Sequence, residues 1–173
     1  MTALIRPDLM GKRIIYMLNK IDDETSEDIC AAIVTLNQSE SSPIRLYIDT
    51  KGGTSGEHLF DAIQMSQAPV HGIVVGKAHS AGFVALEACH RRIAFPNATL
   101  LHHAGAISIA IDKPEFDQEV AQMRSFTEKV RKLIVSRGNI SLETIEKWEK
   151  EERRIQASEA LQYGLIDAIA TEL

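Results

Sequence analysis

The sequence predicts an α/β fold built around a largely parallel sheet. Two observations predict it. Short apolar runs rich in β-branched residues alternate with longer segments of helical periodicity, which is the pattern of strand–crossover–strand units. Turn residues such as Pro43, Gly52-Gly53, Pro69, Gly76 and Pro96-Asn97 fall between these runs.

The elements follow in order. Arg13 to Leu18 (RIIYML) reads as a buried strand. Asp22-Asp23 offers N-cap candidates for a helix to about Leu36, with Ile29, Ile33 and Leu36 on one face. The polar stretch Asn37 to Ser42, followed by Pro43, breaks it. Ile44 to Asp49 (IRLYID) is the next strand, Lys51-Gly52-Gly53 a turn, and Gly56 to Ser66 a helix that Pro69 closes off. Val70 to Val75 is a third strand, and Gly76 is expected to open a tight turn into a helix from Ser80 to His90. Ile93 to Phe95 and Thr99 to His103 are short strands around Pro96-Asn97. Ala104 to Ile111 (AGAISIAI) is apolar and β-prone, with no obvious mate. Pro114 suits the first turn of a long helix that runs to Arg137 and stops at Gly138. Ser141 caps a helix that carries Trp148 and the charge run Glu146 to Arg154. Ala157 to Tyr163 is a short helix closed by Gly164, and Leu165-Ile166-Asp167 leads into a final strand.

The long helix is amphipathic, with Phe116, Val120, Met123, Val130 and Ile134 near one stripe. It follows an unpaired apolar strand. Two readings stand: a protruding element that packs on a second subunit, or an ordinary core helix.

Composition narrows the function classes. A length of 173 residues suits a single domain, residues 1–173, with 45% hydrophobic and 25% charged residues. The net charge of −5 and the absence of a basic stripe argue against a nucleic-acid binder. No apolar run is long enough to cross a bilayer, and the first residues lack a signal-peptide layout, so a cytoplasmic protein is expected. Cys30 and Cys89 lie in apolar helical stretches and read as buried reduced thiols. No cofactor or metal is expected.

Three segments have the chemistry of a site. Gly76-Lys-Ala-His-Ser80-Ala-Gly82 lies between an apolar strand and an apolar helix. A serine there either caps the helix or presents its hydroxyl beside unpaired first-turn amides, which favour an oxyanion. Lys51-Gly52-Gly53 ends the preceding strand, where backbone can approach a ligand closely or simply turn. Both turns follow parallel strands, so they share the carboxyl edge of the sheet where ligands bind. His103 ends another strand and reaches the same edge. His102 alternates to the opposite face.

The runs YIDTKGG, GKAHSAG, FPNATLLHH and EALQYGLID strongly resemble, in order and from about Lys12 to Ile169, the proteolytic subunit of Clp protease. The resemblance implies a crotonase-like α/β fold with a protruding strand–helix handle over about 104–137. It implies a serine endopeptidase whose subunits form two stacked heptameric rings, a homo-oligomeric tetradecamer enclosing the active sites. It implies peptides or unfolded proteins as substrates, and an AAA+ unfoldase as partner. Carried over residue by residue, the nucleophile falls on Ser80, the general base on His103, the oxyanion amides on Gly53 and Ala81, and the acid on Glu152. The base must be neutral to act, so activity is expected to fall on acidification.

The chain departs from the family pattern in several places. The acid is Glu rather than Asp, with Glu149 one helical turn earlier as an alternative. Lys51 replaces a proline, and the segment after Gly53 is about two residues shorter than usual. The charge pair that contacts the other ring is reversed as Lys150-Glu151, the ring-contact candidates here. The segment before the first strand is short, which bears on unfoldase docking. Two other functions are carried alongside: a non-catalytic or weakly active Clp-like ring subunit, and a crotonase-type enzyme acting on an acyl-CoA thioester, for which no basic cluster suited to CoA phosphates is visible.

Overall fold

The computed structural model describes residues 3–54, 56–103 and 113–172. Its fold is mixed α/β. The elements are β1 (Ala3–Leu4), α1 (Pro7–Met10), β2 (Ile14–Ile21), α2 (Asp23–Ser39), β3 (Ile44–Gly53), α3 (Gly56–Gln64), β4 (Val70–His79), α4 (Ala81–Ala88), β5 (Arg91–Ala94), β6 (Thr99–Leu101), α5 (Lys113–Arg137), α6 (Leu142–Glu151), β7 (Ile155–Gln156), α7 (Ala157–Gln162) and β8 (Ala168–Ile169). The order β2-β3-β4-β5-β8 is parallel throughout, and β1 adds to β2 antiparallel at one edge.

Side-chain alternation sets the layers. Ile15 and Met17 on β2, Leu46 and Ile48 on β3, and Val70 and Val74 on β4 point into the core. There they meet Ile29 and Ile33 of α2, Leu59 and Ile63 of α3, and Phe83 and Leu86 of α4. On the other face Tyr16 and Tyr47, register partners, stack with ring centroids 5.1 Å apart. The expected caps form: Asp22 accepts from Thr25 N–H at 3.0 Å, and Ser141 accepts from Thr144 N–H at 3.1 Å.

Two strands run further than the sequence suggests, and both extensions matter for the site. β3 continues through Lys51-Gly52-Gly53, where a turn was expected, and β4 continues past Gly76 to His79. Gly76 opens no turn; it lies within a bulge. Ile48 faces Val74 but Thr50 faces Ala78, so the register slips around Asp49. The Asp49 carboxylate fills the bulge: it accepts from Lys77 N–H at 3.0 Å, and its Oδ1 lies 2.6 Å from where a Gly76 Cβ would stand. Beyond the bulge β4 leaves β5 and pairs with β6 instead, with Lys77, Ala78 and His79 opposite Thr99, Leu100 and Leu101. β7, a strand the sequence did not signal, caps β6 antiparallel.

The expected handle strand, Ala104 to Ile111, lies outside the described residues. The helix that follows is α5. Its apolar stripe is buried at Val130 and Ile134, half-buried at Val120 and Met123, and exposed at Phe116. Of the two cysteines, Cys89 is buried and Cys30 half-buried, both as free thiols.

Candidate active site

β4 ends at His79, and the next residue, Ser80, enters α4 through φ 53°, ψ −121°. That is a sparsely populated conformation for a residue with a side chain, and its use here marks a tight strand-to-helix elbow. Small neighbours make it feasible. Ala78 is fully buried, and a Cβ on Gly82 would stand 2.4 Å from Thr50 Cγ2. Ser80 N–H donates to Leu101 O at 2.8 Å, tying the elbow to the end of β6.

The Ser80 hydroxyl does not cap α4. It lies 2.8 Å from His103 Nε2. The next strand over supplies the floor. Gly52 has φ +95°, and a methyl group on it would come within 2.5 Å of Ser80 Cβ and 2.7 Å of His79 O. Gly52 N–H is held by Thr50 Oγ1 at 2.9 Å. Gly53 packs its Cα against the Ile21 carbonyl, with no space for a side chain. Ala81 N–H belongs to the first turn of α4, where no earlier carbonyl in the helix can accept it.

Glu152 is reached from α6. It is the C-cap residue of that helix, in the left-handed conformation (φ 47°, ψ 43°), with its N–H directed at Glu149 O, 3.3 Å away. Its Oε1 lies 3.9 Å from His103 Nδ1, beyond hydrogen-bond range, and its side chain is 71% exposed. Glu149, the alternative acid, faces elsewhere: it binds Arg131 and lies 2.9 Å from His102 Nε2. His102 and His103 therefore point to opposite sides as expected, although β6 ends at Leu101 and neither histidine belongs to the strand. Lys150 and Glu151 are exposed on α6, with Glu151 3.9 Å from Lys147 in the next turn back.

His79, which the sequence reading passed over, sits buried beside Ser80 with Nε2 2.9 Å from Thr99 Oγ1. Burial first, and then the positive charges of Arg154, Lys77 and Lys51, push its pKa below the ordinary histidine value. Arg131 was also missed. Its pairing with Glu149 joins residues 18 apart on two helices, and no local pattern signals it. Among the described residues no helix is long and apolar enough to cross a membrane.

Comparison with known proteins supplies the family. The Clp protease family profile matches residues 2–172. The ATP-dependent Clp protease proteolytic subunit 2 of Leifsonia xyli subsp. xyli is 32% identical, with 94% of this chain and 76% of that protein aligned. With its fold and nearly its whole length accounted for in this way, the chain belongs to the Clp protease family.

Proposed function

We propose that this chain, as one peptidase domain, is a serine endopeptidase in which Ser80 attacks the peptide carbonyl and His103 serves as general base. The observation that carries the reading is the 2.8 Å contact between Ser80 Oγ and His103 Nε2 at the elbow. His103 Nε2 takes the hydroxyl proton while Oγ bonds to the carbonyl carbon. The carbonyl oxygen, now negative, accepts from the N–H groups of Ala81 and Gly53. Collapse of this intermediate breaks the C–N bond, and His103 returns the proton to the leaving amine nitrogen. A water then repeats the sequence on the acyl-serine ester and frees the enzyme. Glu152 sits on the Nδ1 side of the ring and orients it, at a distance that makes the contribution small.

Family membership supports the further reading that the subunits assemble into two stacked heptameric rings. α5 would lie between the rings, and Lys150 and Glu151 at contacts between them. The exposed Phe116 end of α5 fits a surface that a second subunit covers. Enclosure admits peptides and unfolded chains and keeps folded proteins out, with an AAA+ unfoldase as the feeding partner.

One observation favours a second reading, a weakly active or non-catalytic ring subunit: the long, solvent-exposed approach of Glu152 to His103. Labelling by a fluorophosphonate separates the two. The assembled wild type is expected to label and to cleave a fluorogenic peptide, and Ser80→Ala to do neither. An assembled wild-type particle that neither labels nor cleaves would overturn the catalytic reading.

A further inference from the structure

Beneath the proposed site lies a second, buried layer that shadows it residue for residue. Phe83 sits three residues after Ser80 on α4, His102 immediately before His103, and Glu149 three residues before Glu152 on α6. The three touch one another in sequence. The His102 ring stacks on Phe83 with centroids 5.2 Å apart and an interplanar angle of 20°. His102 Nε2 lies 2.9 Å from Glu149 Oε1. Glu149 is 3% exposed, yet burial does not neutralise it. Burial by itself raises its pKa, but the contacts from His102 and Arg131 outweigh this and hold the carboxyl at about 2.

Arg131 closes the layer from α5. Its Nε donates to Glu149 Oε1 at 3.0 Å, and its Nη2 binds Oε2 in the forked geometry that fixes a carboxylate in direction as well as place. Arg131 Nη1 also donates to Glu128 Oε1 at 2.6 Å and to Glu146 Oε1 at 3.4 Å. A fully ionised carboxylate under apolar cover, held from two sides, costs desolvation energy that hydrophobic residues of similar size would avoid. Such a group fixes geometry rather than adding stability.

We infer that Arg131, Glu149 and His102 form a positioning relay that sets the His103 ring against Ser80 and ties that alignment to the seating of α5. It rests on the serine-peptidase reading above. The backbone carries the effect. His102 held between Glu149 and Phe83 leaves the His103 side chain one direction to point. Phe83 locks the same helix turn that presents Ser80, and Glu149 anchors the α6 turn that ends at Glu152.

The test is steady-state cleavage of a fluorogenic peptide by the assembled particle, with kcat and KM resolved, alongside particle mass and melting temperature. His102→Phe keeps the ring on Phe83 and removes the contact to Glu149. The expected result is a kcat about tenfold lower with KM, mass and melting temperature little changed. His102→Gln, whose amide can reach the Glu149 carboxylate and restore that contact, is expected to recover most of the kcat. Glu149→Gln, which keeps shape but loses charge, is expected to lower kcat in the same way. A His102→Phe particle with wild-type kcat overturns the relay. So does a loss of kcat that only accompanies a fall in particle mass or melting temperature in both variants, because the layer is then a folding element. Ser80→Ala in the same assay keeps the outcomes apart: if it still cleaves, the serine mechanism has failed, whatever the His102 variants do.

Discussion

Gly52 and Ser80 are in such close backbone contact that one added methyl group would stand 2.5 Å from the serine Cβ. No real Cβ tolerates that approach, and the φ of +95° at Gly52 adds strain for any L side chain. Gly52→Ala is therefore expected to displace the Ser80 elbow. The predicted outcome is a destabilisation of about 1–3 kcal/mol with peptidase activity lost out of proportion to it. Urea unfolding and a peptide assay on the same preparation check this. A stable Gly52→Ala particle with full activity would show that the two strands are not in register here.

Glu149 on α6 and Glu152 at its C-cap have opposite jobs, and substitution should separate them. Glu152 is exposed and 3.9 Å from His103, so Glu152→Ala is expected to lower kcat by roughly tenfold, far less than loss of a buried triad acid, with an unchanged melting temperature. Glu149 is buried against Arg131. Glu149→Ala leaves that guanidinium without its main partner and is expected to cost about 3 kcal/mol of stability. Equal melting temperatures for the two variants would refute this division.

A buried carboxyl on α4 gives the stability a pH dependence. Glu87 is fully buried, with Oε2 2.7 Å from Arg92 Nη1, and Arg92 in turn holds Asp167 at 2.8 Å. Burial raises the Glu87 pKa from 4.5 to about 7, more than Arg92 lowers it. A folded-state value above the unfolded one means that the folded protein holds this proton more tightly. The contribution is complete below pH 4.5 and is lost as pH rises through about 7. Its size is at most about 3 kcal/mol. Glu87→Gln mimics the protonated form. The melting temperature of wild type is therefore expected to fall relative to Glu87→Gln by several degrees between pH 5 and pH 8. A constant difference across that range would rule out Glu87 as the titrating group.

The exposed end of α5 bears on assembly. Phe116 is 37% exposed on a stripe that becomes fully buried by Val130. If that end packs against a second subunit, Phe116→Glu introduces a charge into the contact and is expected to halve the particle mass by sedimentation, leaving single rings. Unchanged mass would place Phe116 outside any interface.

Much of the fold was legible because its signals are local. Apolar runs of five or six residues, Asp22 and Ser141 as caps, and Gly138 after α5 each depend on near neighbours in the chain, and α2, α5, α6 and the first halves of β3 and β4 form where those patterns lie. The opposite facing of His102 and His103 was legible in the same way, although the strand expected to carry them ends at Leu101. The continuation of β4 past Gly76 was not. A glycine after an apolar strand reads as a turn, and only the Asp49 carboxylate, reaching across from β3, converts it into a bulge.

The amino-acid order by itself determined the alternating α/β plan, the family, and the identities of Ser80 and His103 as the residues to examine, because those follow from periodicity and short motifs. The tertiary structure alone decided that Glu149 turns away to Arg131 while Glu152 faces His103, that Gly52 forms the floor under Ser80, and that a buried ionic layer lies behind the site. These relationships join residues from separate strands and helices across a packed interior. Their distances are set by how the layers pack, which no window along the chain contains.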